Sequence, residues 1–264
     1  MSVSPADDVA KSLDLKGRGY VVIGAGQGIG AATCRALGGL GARLLCVDND
    51  SERAGAIAME TGGAAIVADV TKRADVTRVF AKAHDLFGQD LCGAADIVGM
   101  ASIGPLAALT DQDWDQQFDI VLRHVFLTIQ IGGEMLAARG GGSLAFVGSI
   151  SGNLSIAGQS AYGAAKAALH HLVETAAHEL GPKNVRVNAV APSFVRTPRL
   201  MALGDGFWND ISAALPLRRP AEPADIAKAQ VFMLSDMSTC MTGAIMPVDS
   251  GLAQVAAVKG FLQP

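Results

Sequence analysis

A glycine-rich loop between a predicted strand and a predicted helix constrains the fold of this chain more than any other feature. The apolar run Tyr20–Ile23 leads into Gly24-Ala-Gly-Gln-Gly-Ile-Gly30, and a helical pattern follows to about Gly41. The first backbone N–H groups and the dipole of such a helix suit a pyrophosphate. Glycine strings also occur by chance in a chain with 31 glycines, but the position between strand and helix predicts a dinucleotide-binding turn.

A second predicted strand follows the loop and ends in an acid. The run Arg43–Asp48 is apolar between its two end residues, and Asp48 lies 18 residues beyond Gly30. This is close to the separation of about 20 residues at which a carboxylate binds the hydroxyls of an adenosine ribose. A turn acid or a helix cap is the alternative interpretation of Asp48, and the glycine loop before it favours the ribose.

Apolar strands and helical patterns alternate along the rest of the chain. This alternation is typical of an α/β fold with a parallel sheet and helices on both faces. No linker divides the 264 residues, so one domain (1–264) is predicted, with an N-terminal extension at 1–14 and a C-terminal tail at 252–264. The further predicted strands are Ala64–Ala68, Gly142–Gly148, Val185–Val190 and Ala244–Val248, and the predicted helices are Lys72–Phe87, Trp114–Arg139 and Ala161–Leu180.

Composition excludes several classes of function. The formal net charge is −4 and no basic run is longer than Arg218-Arg219, so neither nucleic acid nor an anionic membrane is an expected partner. An apolar signal core and a run of about 20 apolar residues are both lacking, which predicts a soluble cytoplasmic protein. The widely spaced cysteines form no CxxC pattern and have apolar surroundings, so reduced core thiols and no metal are expected of Cys34, Cys46, Cys92 and Cys240.

A tyrosine and a lysine suggest proton-transfer chemistry. Tyr162 and Lys166 are four residues apart, so on a helix they share a face. A phenol has a pKa of about 10, and a nearby ammonium group favours the phenolate. A hydroxyl from Ser149 could hold a substrate oxygen while Tyr162 moves the proton. The alternative is an exposed tyrosine and lysine on an ordinary amphipathic helix.

With Ser149 placed 13 positions before Tyr162, this stretch resembles the active site of the short-chain dehydrogenase/reductase family. Other family motifs follow in the same order from about Leu13 to Gly251. The resemblance implies a Rossmann-type doubly wound parallel sheet of about seven strands. Asp48 matches the acid that selects NAD over NADP, and Asn188–Thr197 resembles the segment beside the nicotinamide. The resemblance implies NAD-binding residues at Gly24, Gln27, Gly28, Ile29, Gly30, Asp48, Asp69, Val70, Tyr162, Lys166, Val195 and Thr197.

The chain departs from the family pattern after the fourth strand. The family's Asn-Asn-Ala-Gly loop is absent. Without gaps Ala95–Val98 takes its place, whereas a gapped alignment uses Gly99–Ser102. We expect a short fourth strand and a differently built loop.

A second departure lies in the long helix, where Val121 replaces an asparagine that helps to hold a water near the active-site lysine. The carbonyl of Val121 could keep this role if the helix bends there. His124, one turn away, could relay protons, but an exposed or interface histidine is favoured. The histidines that follow Lys166 are predicted to be packing or interface residues: His170, His171 and His178.

The resemblance therefore implies an NAD-dependent oxidoreductase, an alcohol dehydrogenase or carbonyl reductase that acts on a secondary alcohol or its ketone. Tyr162 would be the acid/base, Lys166 would orient the ribose and lower the tyrosine pKa, and Ser149 would polarise the oxygen. The alternative is an NAD(H)-binding sensor, or a weakly active protein, without an efficient proton relay.

Expectations about partners come from two further features. The segment Pro198–Pro216 is apolar and aromatic, which favours an uncharged, moderately hydrophobic substrate, although the same side chains could form a dimer contact. The alanine-rich helix that carries Tyr162 suits close helix packing. The resemblance implies a homotetramer, with a dimer as the alternative.

Overall fold

A single parallel sheet organises the part of the chain that this computed structural model describes, residues 5–253. Its seven strands lie in the order β3-β2-β1-β4-β5-β6-β7, which confirms the predicted doubly wound α/β fold. The strands that the sequence predicts end within two residues of their expected limits. The strands are β1 Gly19–Ile23, β2 Arg43–Asp48, β3 Ala64–Val67, β4 Leu91–Asp96, β5 Gly142–Val147, β6 Val185–Pro192 and β7 Ile245–Val248.

Helices cover both faces of the sheet, as the apolar strands require. Alternate residues of β1 face opposite sides, so Val21 packs with one core cluster and Val22 with the other. The first cluster includes α4, α5 and α6, and the second includes α2, α3 and α9. The helices of the described region are α1 Pro5–Ser12, α2 Gly28–Gly39, α3 Ser51–Thr61, α4 Arg73–Phe87, α5 Asp111–Ala137, α6 Ser160–Leu180, α7 Pro198–Met201, α8 Gly204–Ala214 and α9 Pro223–Leu234.

The strand order reverses between β1 and β4, because the chain crosses from β3 back past β1. In an open parallel sheet, such a switch point leaves a crevice at the carboxyl ends of the two strands. The glycine loop after β1 and the loop after β4 both lie at this edge. The topology therefore places the predicted cofactor site in the crevice.

Helix α5 is irregular in two places. Thr110 and Asp113 form a capping box at its start, three residues before the predicted beginning at Trp114. It contains two π-helical segments, Asp119–Arg123 and Thr128–Gly133, and Val121 lies in the first. The helix is therefore distorted at Val121, which is the condition under which its carbonyl could replace the asparagine, and π-helical turns are frequent at functional sites.

The same helix, Asp111–Ala137, is long and apolar enough to pass a length and composition test for a membrane span. Val125, Leu127 and Leu136 nevertheless belong to the core cluster against the sheet. The packing of this helix in the core therefore accounts for its apolar composition. No other described helix meets the test.

The cysteines only partly fit the prediction of core thiols. Cys34 on α2 and Cys46 on β2 are buried, with their sulfur atoms 3.8 Å apart. Cys92 is half-buried and Cys240 is exposed, so apolar surroundings were wrongly predicted for Cys240. A cysteine in a sequence that is apolar on average can still fall in a surface turn, as Cys240 does after the short helical turn Asp236–Ser238.

Candidate active site

The predicted catalytic residues meet at the carboxyl end of β5. Lys166, which lies on α6 and is 2% exposed, donates a hydrogen bond of 2.7 Å to the carbonyl of Val147, the last residue of β5. Its Nζ atom lies 5.8 Å from the centroid of the Tyr162 ring. The Ser149 side chain, two residues after the strand, interacts with the Tyr162 hydroxyl and lowers its pKa. The three side chains therefore lie together, as the spacing and the family resemblance indicated.

Burial acts on both ionisable groups of this cluster. It raises the pKa of Tyr162 above its ordinary value, and the hydrogen bond from Ser149 counteracts this by lowering it. Burial lowers the pKa of Lys166 to about 8, while the negative charge of Asp96 raises it. The lysine can therefore change its charge near the pH at which enzymes work, so its neighbours decide how much positive charge Tyr162 experiences.

The glycine loop has the geometry of a dinucleotide-binding turn. Gly24 and Gly28 have φ angles of +79° and +54°, which glycine adopts without strain. A Cβ on Gly30 would lie 1.8 Å from the carbonyl oxygen of Gly24, so only glycine lets α2 begin this close to β1. These two requirements leave the first N–H groups of α2 facing the crevice, where a pyrophosphate fits.

A cleft of about 360 Å³ extends from the glycine loop across the end of the sheet. Thr197 closes it on one side, with its Cγ2 atom 3.4 Å from the position of a Cβ on Gly28. Val195 is buried in the core, so its side chain does not line the cleft and its assignment to the carboxamide stays a prediction. Residues that line the cleft include Gly24, Gln27, Gly28, Ile29, Asp48, Asn49, Arg53, Ile97, Val98, Gly99, Met100, Thr197 and Arg199.

Asp48 lines the cleft but is already engaged with the protein. One carboxylate oxygen accepts a 2.9 Å hydrogen bond from the N–H of Gly26, and the other accepts one of 3.0 Å from Arg53. Asp48 therefore stabilises the glycine turn through its hydrogen bond with Gly26. Arg53 also hydrogen-bonds Asn49 at 3.1 Å, so a guanidinium stands beside the predicted ribose site. Arg53 was not predicted from the sequence, although its position in the first turn of α3 could have indicated it.

Asp69 and Val70 are two of the NAD-binding residues that the resemblance implies. Together with Val47 and Ala68 they line a smaller pocket of about 100 Å³ next to Asp48. Asp69 accepts hydrogen bonds from the N–H and the hydroxyl of Thr71 and is paired with Lys72 at 3.1 Å. These contacts hold the turn after β3 in place. Val70 supplies apolar lining to the pocket.

The loop after β4 differs from both alignments of the sequence. β4 is six residues long, so the expectation of a short strand was wrong. The cleft is lined by Ile97, Val98, Gly99 and Met100, a stretch that overlaps both candidate segments. A Cβ on Gly99 would lie 3.1 Å from Nζ of Lys166. Lys166 therefore lies next to Gly99, a residue of the cleft wall.

His124 is not the exposed or interface residue that the sequence favoured. It is 1% exposed, and its Nδ1 atom lies 2.8 Å from Asp96, the last residue of β4. The same carboxylate oxygen accepts a 3.1 Å hydrogen bond from Thr128. Nε2 of His124 is buried without a hydrogen-bond partner in the described structure. The end of β4 is thus joined to α5, the helix that carries Val121, by two side-chain hydrogen bonds.

The other histidines also divide by environment. His171 and His178 are exposed on α6, in keeping with a surface or interface role. His170 is 5% exposed and contacts the loop that carries Ser149. Packing was therefore a correct but incomplete prediction for His170.

The segment Pro198–Pro216, for which the sequence predicts substrate contact, contains α7 and α8 and is called the lid below. Met201 and Leu203 are exposed and Phe207 is half-buried, so these apolar side chains remain accessible. Trp208, which the sequence grouped with them, is 2% exposed and packs against Phe207 and Arg196. Trp208 anchors the lid and leaves the contact with a substrate to its neighbours.

Known proteins share this sequence and fold. Residues 24–253 match a family model described as enoyl-(acyl carrier protein) reductase. The chain is 33% identical over 247 residues to galactitol 2-dehydrogenase (L-tagatose-forming) of Cereibacter sphaeroides, covering 90% of this chain and 95% of the relative. It is 30% identical over 257 residues to (3R)-3-hydroxyacyl-CoA dehydrogenase of Mus musculus, covering 92% and 99%.

A solved structure agrees with these relatives. A 7α-hydroxysteroid dehydrogenase complexed with NADH and 7-oxo glycochenodeoxycholic acid superposes with a TM-score of 0.86 at 25% identity, covering 92% of this chain and 96% of that one. The family match spans most of the chain, and the relatives share its length and its fold. The chain therefore belongs to the short-chain dehydrogenase/reductase family and is an oxidoreductase of that type.

Proposed function

We propose that this protein is an NAD-dependent oxidoreductase that interconverts a secondary alcohol and its ketone. The observation that carries the proposal is the cluster of Ser149, Tyr162 and Lys166 at the carboxyl end of β5, with Lys166 next to Gly99 of the cleft wall. A hydroxyl donor, an ionisable phenol and a buried ammonium beside a dinucleotide-type cleft are what proton transfer to and from a substrate oxygen requires.

The residues fit a nicotinamide dinucleotide. The N–H groups at the start of α2 suit its pyrophosphate, Asp48 suits ribose hydroxyls, and Val70 borders a small apolar pocket suited to adenine. When bound, the cofactor supplies the hydride acceptor or donor. Ser149 holds the substrate oxygen. Tyr162 takes the hydroxyl proton during oxidation and returns it during reduction, and the charge of Lys166 favours the phenolate.

Absorbance of the reduced nicotinamide tests this proposal. The purified protein is incubated with NAD and a panel of secondary alcohols that includes galactitol, a (3R)-3-hydroxyacyl-CoA and apolar cyclic alcohols. We expect turnover with at least one of them. Tyr162→Phe keeps the ring and removes the ionisable hydroxyl, so it should lower kcat by at least about 100-fold while NAD affinity changes little.

Two results would contradict the proposal. Substantial activity in Tyr162→Phe would remove this residue from catalysis. Tight NAD(H) binding without turnover of any alcohol would favour the alternative, a protein that senses the cofactor.

Preference for NAD over NADP rests on the two charges beside the ribose site. Asp48 repels the 2′-phosphate of NADP, whereas Arg53, 3.0 Å from the same carboxylate, attracts it. Asp48 is buried and Arg53 is more than a third exposed, so solvent screens the arginine more strongly. The carboxylate should therefore decide the preference, with NAD as the cofactor.

Two variants should change the preference between NAD and NADP in opposite directions, which separates the effects of the two charges. Asp48→Ala should weaken NAD binding and improve NADP binding, because Arg53 is then unpaired. Arg53→Ala should make discrimination against NADP stronger, because the carboxylate is then unopposed. Dissociation constants for both cofactors, measured by fluorescence of the reduced form, check these directions. An unchanged NAD/NADP ratio in Asp48→Ala would exclude Asp48 from the ribose site.

The substrate is proposed to be uncharged and moderately hydrophobic. Leu200, Met201, Leu203 and Phe207 present apolar surface from the lid, which favours such a substrate. The same panel of alcohols tests this proposal, because apolar cyclic alcohols should give a higher kcat/KM than galactitol. The reverse ranking would show that a polyol is the better substrate.

A further inference from the structure

One stripe of helix α6 contacts the end of β5 and the loop after it at successive turns. Tyr162, Lys166 and His170 are four residues apart and share this stripe. Lys166 hydrogen-bonds the carbonyl of Val147, and the side chain of Ser149 interacts with the Tyr162 hydroxyl. Nε2 of His170 accepts a 3.4 Å hydrogen bond from the backbone N–H of Ser149. His170, the third residue of the stripe, therefore contacts the main chain of Ser149, and the side chain of the same serine interacts with Tyr162.

The hydrogen bonds of His170 determine its tautomer. A backbone N–H can only donate, so the Nε2 atom that it contacts must carry a lone pair. The proton then lies on Nδ1, which is 2.9 Å from the side-chain oxygen of Asn153 and can donate to it. One neutral imidazole thus links the two sides of the loop.

The charges around the ring preserve this neutral state. Burial and the positive charge of Lys166, one turn away, lower the pKa of His170 to about 4. The loop residues that face the ring, Ser149, Gly152 and Asn153, are uncharged. Protonation would place a second donor opposite the N–H of Ser149, and these surroundings oppose it.

Two glycines leave room for the ring. A Cβ on Gly148 would lie 2.5 Å from Nε2 of His170, and a Cβ on Gly152 would lie 2.5 Å from Cε1. Each is closer than any side chain tolerates, so the loop closes around the imidazole only because both positions are glycine. The N–H of Gly148 also bonds the carbonyl of Val190 at 2.7 Å, which fixes the start of the loop to β6.

We propose that His170 is a positioning residue for the reaction: as a neutral Nδ1–H imidazole enclosed by Gly148 and Gly152, it fixes the backbone of Ser149 so that the serine hydroxyl faces both Tyr162 and the substrate oxygen. This inference rests on the proposed function for its catalytic consequence. It predicts that His170 influences turnover through Ser149, without contact with the cofactor or the substrate.

A set of variants tests this path. His170→Leu keeps volume and removes both hydrogen bonds, so kcat should fall about 10- to 100-fold, less than direct removal of a transition-state donor costs. His170→Gln can accept from Ser149 and donate to Asn153, so it should recover most of the loss. The matched control is His171→Leu on the exposed side of α6, which should leave kcat unchanged. NAD affinity should be unchanged in all three.

A double-mutant cycle separates positioning from general support of the fold. In a Ser149→Ala background there is no hydroxyl to position, so adding His170→Leu should cost less than about threefold in kcat. The full cost of His170→Leu in that background would overturn the proposal. So would a failure of His170→Gln to recover activity while the variant remains folded and binds NAD.

Nitrogen-15 NMR of the wild-type imidazoles provides a test that needs no substrate. From about pH 5 to 8, across the range in which an ordinary histidine titrates, His170 should show a protonated Nδ1 and an unprotonated Nε2. A protonated Nε2 in His170, or a change in its protonation within this range, would overturn the proposal even if no substrate had been found. A wild-type protein with the expected tautomer but no turnover would contradict the proposed function alone.

Discussion

At the residue scale, burial opposes both charged forms that the proposed reaction uses. It raises the pKa of Tyr162 and lowers that of Lys166, so phenolate and ammonium are each disfavoured by their surroundings. Ser149 opposes the first effect by a hydrogen bond to the phenolate oxygen, and Asp96 opposes the second by its negative charge. The reactivity of Tyr162 is therefore a balance, and removing one of the opposing groups should change it measurably.

The dependence of activity on pH follows from this balance. Oxidation needs the phenolate, so its rate should rise with pH through the pKa of Tyr162, whereas reduction needs the phenol and should fall over the same interval. Ser149→Ala removes the hydrogen bond that lowers this pKa, so both curves should move to higher pH. Profiles of kcat/KM against pH in both directions, for wild type and Ser149→Ala, measure the shift. A midpoint that stays in place would show that Ser149 does not contact the phenolate.

At the element scale, β4 and α5 are joined by a buried pair of polar side chains. Asp96 ends β4, and His124 lies 28 residues later, directly after the π-helical segment Asp119–Arg123 of α5. Their side chains are at most 1% exposed and hydrogen-bond each other, with Thr128 as a second donor to Asp96. Neither residue suggested the other in the sequence, because nothing in the spacing indicates which residues of a helix and a strand face each other.

Removal of one partner of this pair should destabilise the protein. His124→Leu leaves the buried carboxylate of Asp96 with Thr128 and the N–H of Val98 as its remaining partners. We expect the free energy of unfolding to fall by about 3–5 kcal/mol, as for other buried pairs that lose one member. Asp96→Asn should cost less, because its amide oxygen can still accept from His124 and Thr128.

Equilibrium unfolding in urea measures both effects. The exposed control, His171→Leu, should lie within about 0.5 kcal/mol of wild type. A cost of His124→Leu no larger than that of the control would show that the pair contributes nothing to stability.

The sequence predicted the elements and the grouping of Ser149, Tyr162 and Lys166 far better than the other contacts of the site. The glycine loop, Asp48 and the Tyr162–Lys166 spacing are local patterns, and local patterns determine where a strand ends or which helix face a residue occupies. The contacts of Asp48 with Arg53 and of His170 with Ser149 depend on how neighbouring elements pack. Side chains of this kind are visible in the sequence, but their partners are determined only in three dimensions.

At the scale of the whole molecule, two long helices present apolar or small side chains outward. Trp114 and Phe126 on α5 are each 41% exposed, and Ala164 and Ala167 on α6 are exposed as well. Small residues let helices approach closely across a two-fold axis, and exposed aromatic side chains gain from being covered. Together with the tetramers that are usual in the family, these surfaces support the prediction of a homotetramer, with a dimer as the alternative.

Light scattering after size-exclusion chromatography at micromolar concentration tests this assembly. The wild-type mass should be four times the 27.0 kDa of one chain, or twice that value for the alternative. Ala167→Glu places a charge on the outward face of α6, where closure of an interface would bury it unpaired, so the mass should fall. Met59→Glu makes a similar change on α3 at a residue that is 86% exposed, and it should leave the mass unchanged. A wild-type monomer would contradict an interface on α6. An equal loss of mass in both variants would also contradict it, because only Ala167→Glu changes a residue of that interface.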